Sequence, residues 1–112
     1  MATQTPLHIL TKLESLEAYT RIGIRQFPKY EKFLLSAEIR QQLFAIRKNT
    51  IRAAKKYAKK TTLTDLDIDI EMLRSDIRIA YRLKYIDEHK LGVWMEKVDE
   101  IGRMVGGWLK SQ

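Results

Sequence analysis

The sequence predicts an all-α protein, an up-down four-helix bundle, on three observations. Apolar residues recur at helical spacing in four successive stretches, no stretch alternates as a strand would, and the joining segments are short and polar or marked by proline. The length of 112 residues suits one domain with one modest core, so residues 1–112 read as a single bundle. A hydrophobic content of 45% excludes a disordered tail. No stretch approaches the roughly 18 apolar residues that a bilayer span needs.

The first helix is expected over about residues 6–26, with Thr5 as N-cap and Pro6 in the first turn. Its stripe is Leu10, Leu13, Leu16, Tyr19/Thr20, Ile24 and Phe27. Pro28 ends it, because the residue before a proline is pushed out of the α region. The same proline opens a second helix, about 29–60, whose inner face in its second half reads Ile39, Leu43, Ile46, Ala54 and Tyr57, with Ile51 and Ala58 alongside. Such a helix would be on the order of 45 Å long.

Thr61 and Thr62 interrupt the pattern, and Thr64 is expected to cap a third helix, about 65–86. Asp65, Asp67, Asp69 and Glu71 fall early in it, where negative charge suits the helix dipole. This helix carries two apolar stripes, one of Leu66, Ile70, Leu73, Ile77 and Ala80, the other of Ile68, Met72, Ile79, Leu83 and Ile86. Together they cover an arc of roughly 200°, wider than the ~100° that a bundle helix uses. The second stripe is explained either by self-association, which is preferred, or by a small bundle burying its central helix deeply. A polar turn at Asp87, Glu88 and His89 leads to a fourth helix, about 90–109.

Charge is unevenly placed. The formal charge is +7, yet residues 39–60 hold eight basic residues and no acidic one, and the rest of the chain nearly balances. On a continuous second helix Lys48, Arg52, Lys55, Lys56 and Lys59 share one face opposite the apolar stripe. With Arg47 and Lys60 they form a candidate phosphate-binding surface for RNA or DNA. On the third helix Arg74, Arg78 and Arg82 repeat at i, i+4 and i+8, with Tyr81 and Tyr85 expected in the same polar sector. Arginine with interleaved tyrosine suits either nucleic acid or a protein partner. Docking on an acidic membrane fits less well, since the apolar face of the basic helix is needed inside the bundle.

Other classes lack their residues. The chain has no cysteine, which excludes disulfides and thiolate metal sites, and Met1–Leu7 has neither the basic nor the apolar region of a signal peptide. A cytoplasmic location is therefore expected. Asp65-x-Asp67-x-Asp69 imitates a calcium loop, but Ile70 stands where its glycine belongs and Asp76 where its closing glutamate belongs. His8 and His89 are isolated, and Ser15, Ser36, Ser75 and Ser111 lie in no nucleophile motif. Nothing asks for a metal or a cofactor, and no enzyme activity is expected.

The C-terminal run Ile101-Gly102-Arg103-Met104-Val105-Gly106-Gly107-Trp108-Leu109-Lys110-Ser111 is unusual for a helix end. Each glycine costs ~1 kcal/mol in a helix interior, so three in six residues point to a requirement. Gly102 and Gly106 would admit a second helix closely, Gly106-Gly107 could instead begin a C-cap, and Trp108 argues for docking. With this ending and the Phe27-Pro28-Lys29-Tyr30-Glu31-Lys32-Phe33-Leu34-Leu35 turn, the chain resembles the accessory variability determinant (Avd) proteins of diversity-generating retroelements. The likeness spans nearly the whole chain. A broader relative is the four-helix-bundle family encoded in intervening sequences of bacterial 23S ribosomal RNA genes, which usually lacks this ending.

The resemblance implies a homopentameric barrel with a basic surface that associates with a reverse transcriptase and nucleic acid. It also implies support of mutagenic cDNA synthesis from a template-repeat RNA. Gly102, Gly106, Gly107 and Trp108 would then be helix-packing or subunit-interface residues. The rival expectation is a structural or ribosomal-RNA-associated bundle without a transcriptase partner.

Overall fold

Ile9, Leu13, Leu16 and Thr20 face inward from the first helix, one residue every three or four positions, and the same period recurs through the molecule. The computed structural model describes residues 5–112, in four helices: α1 (Thr5–Gly23), α2 (Leu35–Lys55), α3 (Lys60–Arg82) and α4 (Glu88–Lys110). The side chain of Thr5, and with it the expected N-cap, lies outside the described residues. α1 packs on α2 and α4, and α3 packs on the same two, so α1 and α3 stand diagonally in an up-down bundle whose longest extent is 43 Å.

Trp94 anchors the centre. It is fully buried, its Nε1 donates to Thr20 Oγ1 at 3.1 Å, and its ring meets Tyr19 edge-on and Phe27 obliquely. Phe27 follows a single 3₁₀ turn, Ile24–Gln26, that closes α1. After Pro28 the chain makes a second 3₁₀ turn, Lys29–Glu31, in place of the expected start of a long helix. Glu31 fixes this junction: its Oε1 accepts from the Leu35 amide at 3.1 Å, and its Oε2 accepts from Tyr85 Oη at 2.5 Å.

α2 is therefore shorter than its sequence suggests, 21 residues or about 31 Å. It ends at Lys55, and the backbone of Lys56 after it is extended. No proline or glycine marks the stop. Instead Lys59 folds back, its Nζ donating to the Ala53 and Lys56 carbonyls at 2.6 Å each, which satisfies the open carbonyl end of the helix. The inner face runs Ile39, Leu43, Ile46, Thr50 and Ala53. Ala54, Ala58, Ile51 and Tyr57, expected inside or beside it, are exposed. Thr50 tolerates burial because its hydroxyl donates to the Ile46 carbonyl at 2.7 Å.

α3 starts at Lys60, so Thr61, Thr62 and Thr64 lie within the helix and Thr64 is not its cap; its hydroxyl donates back to the Lys60 carbonyl. The acidic residues consequently sit beyond the first turn. The first apolar stripe is completely buried, and the second is not: Ile68, Met72, Ile79 and Leu83 are exposed, and only Ile86 joins the core. Deep burial within the bundle thus does not account for the second stripe.

α3 ends in a paired turn, Tyr85 N donating to Ala80 O and Lys84 N to Tyr81 O, both at 2.9 Å. This places Lys84 at φ 65°, a left-handed position that normally belongs to glycine. α4 begins two residues earlier than expected, where Asp87 Oδ1 accepts from Lys90 N at 2.8 Å as an N-cap. It runs through Gly106-Gly107, which are not a C-cap, and carries Trp108 into the core at 4% exposure.

Candidate nucleic-acid interface

The stop at Lys55 divides the seven predicted phosphate contacts into two groups. Arg47, Lys48, Arg52 and Lys55 stay on α2, whereas Lys56 and Lys59 belong to the corner and Lys60 opens α3. The expected continuous face through Lys56 and Lys59 is therefore not formed. In its place the row on α2 turns a corner.

Partners separate these cations further. Arg47 Nη1 donates to Glu17 Oε1 at 2.9 Å, so α1 gives it a carboxylate partner, shared with Arg21. Lys56 Nζ donates to Thr62 Oγ1 at 3.1 Å, and Lys59 closes the helix end. Lys48, Arg52, Lys55 and Lys60 are exposed and have no carboxylate partner among the described residues. Tyr57 projects from the middle of this corner, fully exposed between Lys55, Lys56, Lys59 and Lys60. Its expected inward position hid it as a site residue. An aromatic ring among lysines suits base stacking alongside phosphate contact.

The arginine row on α3 is built differently. Arg74 Nε donates to Asp99 Oδ1 at 2.8 Å and Nη1 to Glu71 Oε1 at 2.9 Å, with only 21% of its side chain exposed. Burial opposes its charge, but the bonds to Asp99 and Glu71 more than offset this and raise its pKa. Arg78 reaches the other oxygen of Glu71 at 3.6 Å. Arg82 has no carboxylate partner among the described residues; with Tyr81, Lys84 and Lys90 it borders an open cavity of about 730 Å³ at the α3–α4 turn.

Tyr85 borders the same cavity but serves as a latch. Its ring packs on Phe27 and its hydroxyl bridges Glu31 and Tyr30. Those hydrogen bonds, the one to Glu31 first, push the phenol pKa up. Tyr85 thus leaves the polar sector it was expected to share with the arginines.

The glycine-rich end also divides. A methyl group on Gly102 would collide with Arg74 Nη2, so this glycine makes room for the clamped guanidinium. Gly106 and Gly107 face open space within the chain. Trp108 docks into its own bundle's core.

Together these features define a small helical bundle that carries unpaired positive charge on one corner and an uncovered apolar stripe on one flank. The chain belongs to the bAvd-like family, whose model matches residues 7–112. No curated protein and no solved structure matches it. Among the described residues no helix is long and apolar enough to cross a membrane, and no group of three or more His, Asp or Glu could hold a metal ion.

Proposed function

We propose that the protein is a non-catalytic accessory factor of a diversity-generating retroelement, a basic oligomer that binds the reverse transcriptase and nucleic acid. In this role it acts in the cytoplasm and supports mutagenic cDNA synthesis and retrohoming from template RNA. Membership of the bAvd-like family supports an Avd accessory role in general. The observation that carries nucleic-acid binding is the set of unpaired cations Lys48, Arg52, Lys55 and Lys60 around exposed Tyr57. Contact there is through phosphate and stacking, hence salt-sensitive and weakly sequence-specific.

Self-association uses the uncovered stripe Ile68, Met72, Ile79 and Leu83, and the family resemblance favours five subunits in a ring. Arg78, Tyr81 and Arg82 remain available to the transcriptase or to RNA. Lys48→Glu/Arg52→Glu/Lys55→Glu is expected to weaken binding of single-stranded RNA or DNA by more than about 100-fold at moderate salt and to flatten the salt dependence. Unchanged affinity and salt slope would refute the assignment. Light scattering on the unmodified protein checks assembly: a monomer at micromolar concentration removes the ring.

A further inference from the structure

The junction between α1 and α2 forms a groove of about 550 Å³, within the range of small-molecule sites. Five cations line it (Arg21, Arg25, Lys29, Lys32 and Arg40) and no carboxylate does. Glu17 engages Arg21 at 3.0 Å, while Arg25, Lys29, Lys32 and Arg40 have no carboxylate partner among the described residues. Arg40 Nη2 donates to the Lys32 carbonyl at 3.0 Å, which holds its guanidinium at the lip.

Two further features aim donors into this space. The first turn of α2 starts here; the Leu35 amide is taken by Glu31, and the next amide, at Ser36, is a free donor of the helix start. Ser36 itself lines the groove at 5% exposure, and its hydroxyl has no hydrogen-bond partner among the described residues. The hydroxyl is therefore open to the groove and can donate to a bound acceptor. Beside these donors Ile24, Phe27 and Pro28 give an apolar wall.

We propose that this groove binds a phosphate group carried next to a ring, as in a nucleotide. Ser36, Arg40 and Arg25 hold the phosphate, and Ile24 and Pro28 support the ring. The phosphate is supplied by a free nucleotide or by the 5′-terminal nucleotide of a strand. The site is distinct from the lysine corner: Lys55 stands about 28 Å along α2 from Ser36, and Lys48, the nearest cation of that row, about 12 Å from Arg40.

Calorimetric titration of the full chain with AMP, ATP and adenosine tests the proposal, alongside anisotropy with a 5′-phosphorylated and a 5′-hydroxyl oligonucleotide. Saturable binding of AMP or ATP but not adenosine is expected, weakened about tenfold by Arg25→Gln/Arg40→Gln and about fivefold by Ser36→Ala. Lys48→Gln/Arg52→Gln should leave it unchanged. Because Arg40 also braces the junction, Arg25→Gln/Lys29→Gln provides a second pair, with the same loss expected.

If the free nucleotides do not bind but the 5′-phosphorylated strand shows this dependence, the strand end is the ligand. Failure of both probes to saturate overturns the proposal. So does adenosine binding as well as AMP, or equal weakening of AMP binding by Lys48→Gln/Arg52→Gln. Loss of strand binding in the α2 variants with AMP binding intact would implicate the corner alone and leave the groove standing.

Discussion

α2 and α3 each carry a row of cations at helical spacing, and the two rows have opposite surroundings. On α2, Lys48, Arg52 and Lys55 meet no carboxylate among the described residues. On α3, Arg74 is clamped between Glu71 of its own helix and Asp99 of α4, over a glycine that leaves it room. The residue types and the spacing are nearly the same. What differs is what the neighbouring element brings, so a basic run becomes a binding surface only where the fold leaves it unanswered.

The largest effect that probes this contrast lies in the seam between the rows. Asp76 of α3 is 1% exposed, its Oδ2 has no hydrogen-bond partner, and it faces Glu38 of α2. Burial first, and Glu38 second, raise its pKa to about 7. The folded state therefore keeps a proton that the unfolded chain loses near pH 4. Stability from this group is full below that pH and should fall by about 1.4 kcal/mol per unit until roughly pH 7, then level off. Urea denaturation of the unmodified protein and Asp76→Asn across pH 4–8 checks this, with a flatter profile expected for the variant.

Next in size is the direct exchange of roles. Arg74→Gln removes both ion pairs of the clamp and is expected to cost about 1 kcal/mol of unfolding free energy, since Asp99 and Glu71 stay open to solvent. Lys48→Gln/Arg52→Gln/Lys55→Gln should shift it by less than about 0.5 kcal/mol per site while weakening nucleic-acid binding. Comparable losses of stability in both variants would erase the distinction between the rows.

A smaller effect separates the glycines. Gly102→Ala makes the Arg74 guanidinium shift within its clamp, whereas Gly106→Ala meets nothing in the chain and gains helix propensity, so Gly106→Ala should be the more stable by up to about 1 kcal/mol. Should Gly106→Ala instead weaken the proposed self-association on dilution, a second copy approaches there. The smallest effect is at the far end of α3, where Lys84→Gly is expected to stabilise the fold by about 0.5–1 kcal/mol by relieving the left-handed lysine.

The phases of α3 and of most of α1 were legible in the sequence because Leu13, Leu16, Leu66, Ile70, Leu73 and Ile77 repeat without interruption, although Ile9 and not the expected Leu10 takes the first core position of α1. The end of α2 was not. From Arg47 to Lys60 the sequence is rich in lysine and alanine, offers no glycine or proline, and favours helix at almost every position. The stop is made by Lys59 reaching back to two carbonyls, an interaction that periodicity cannot register. Tyr57 was misplaced with it, as an inner-face residue of a helix that had already ended. The turn at Lys84 escaped for the related reason that the sequence lacks the glycine by which such turns are recognised. The basic run itself was plain, but its division into paired and unpaired cations depends on Glu17 and Thr62, which come from other helices.

Lys59 has a consequence for how this surface can change over generations. Lys48, Arg52 and Lys55 make no side-chain hydrogen bond or ion pair among the described residues, so their charges can change without loss of such a bond. Lys59 is not free in that way. Exchanging it for a shorter or neutral side chain uncaps α2 and moves the segment that carries Tyr57. The corner therefore joins one structural pin to several adjustable charges, so affinity can be retuned in small steps without moving the ring.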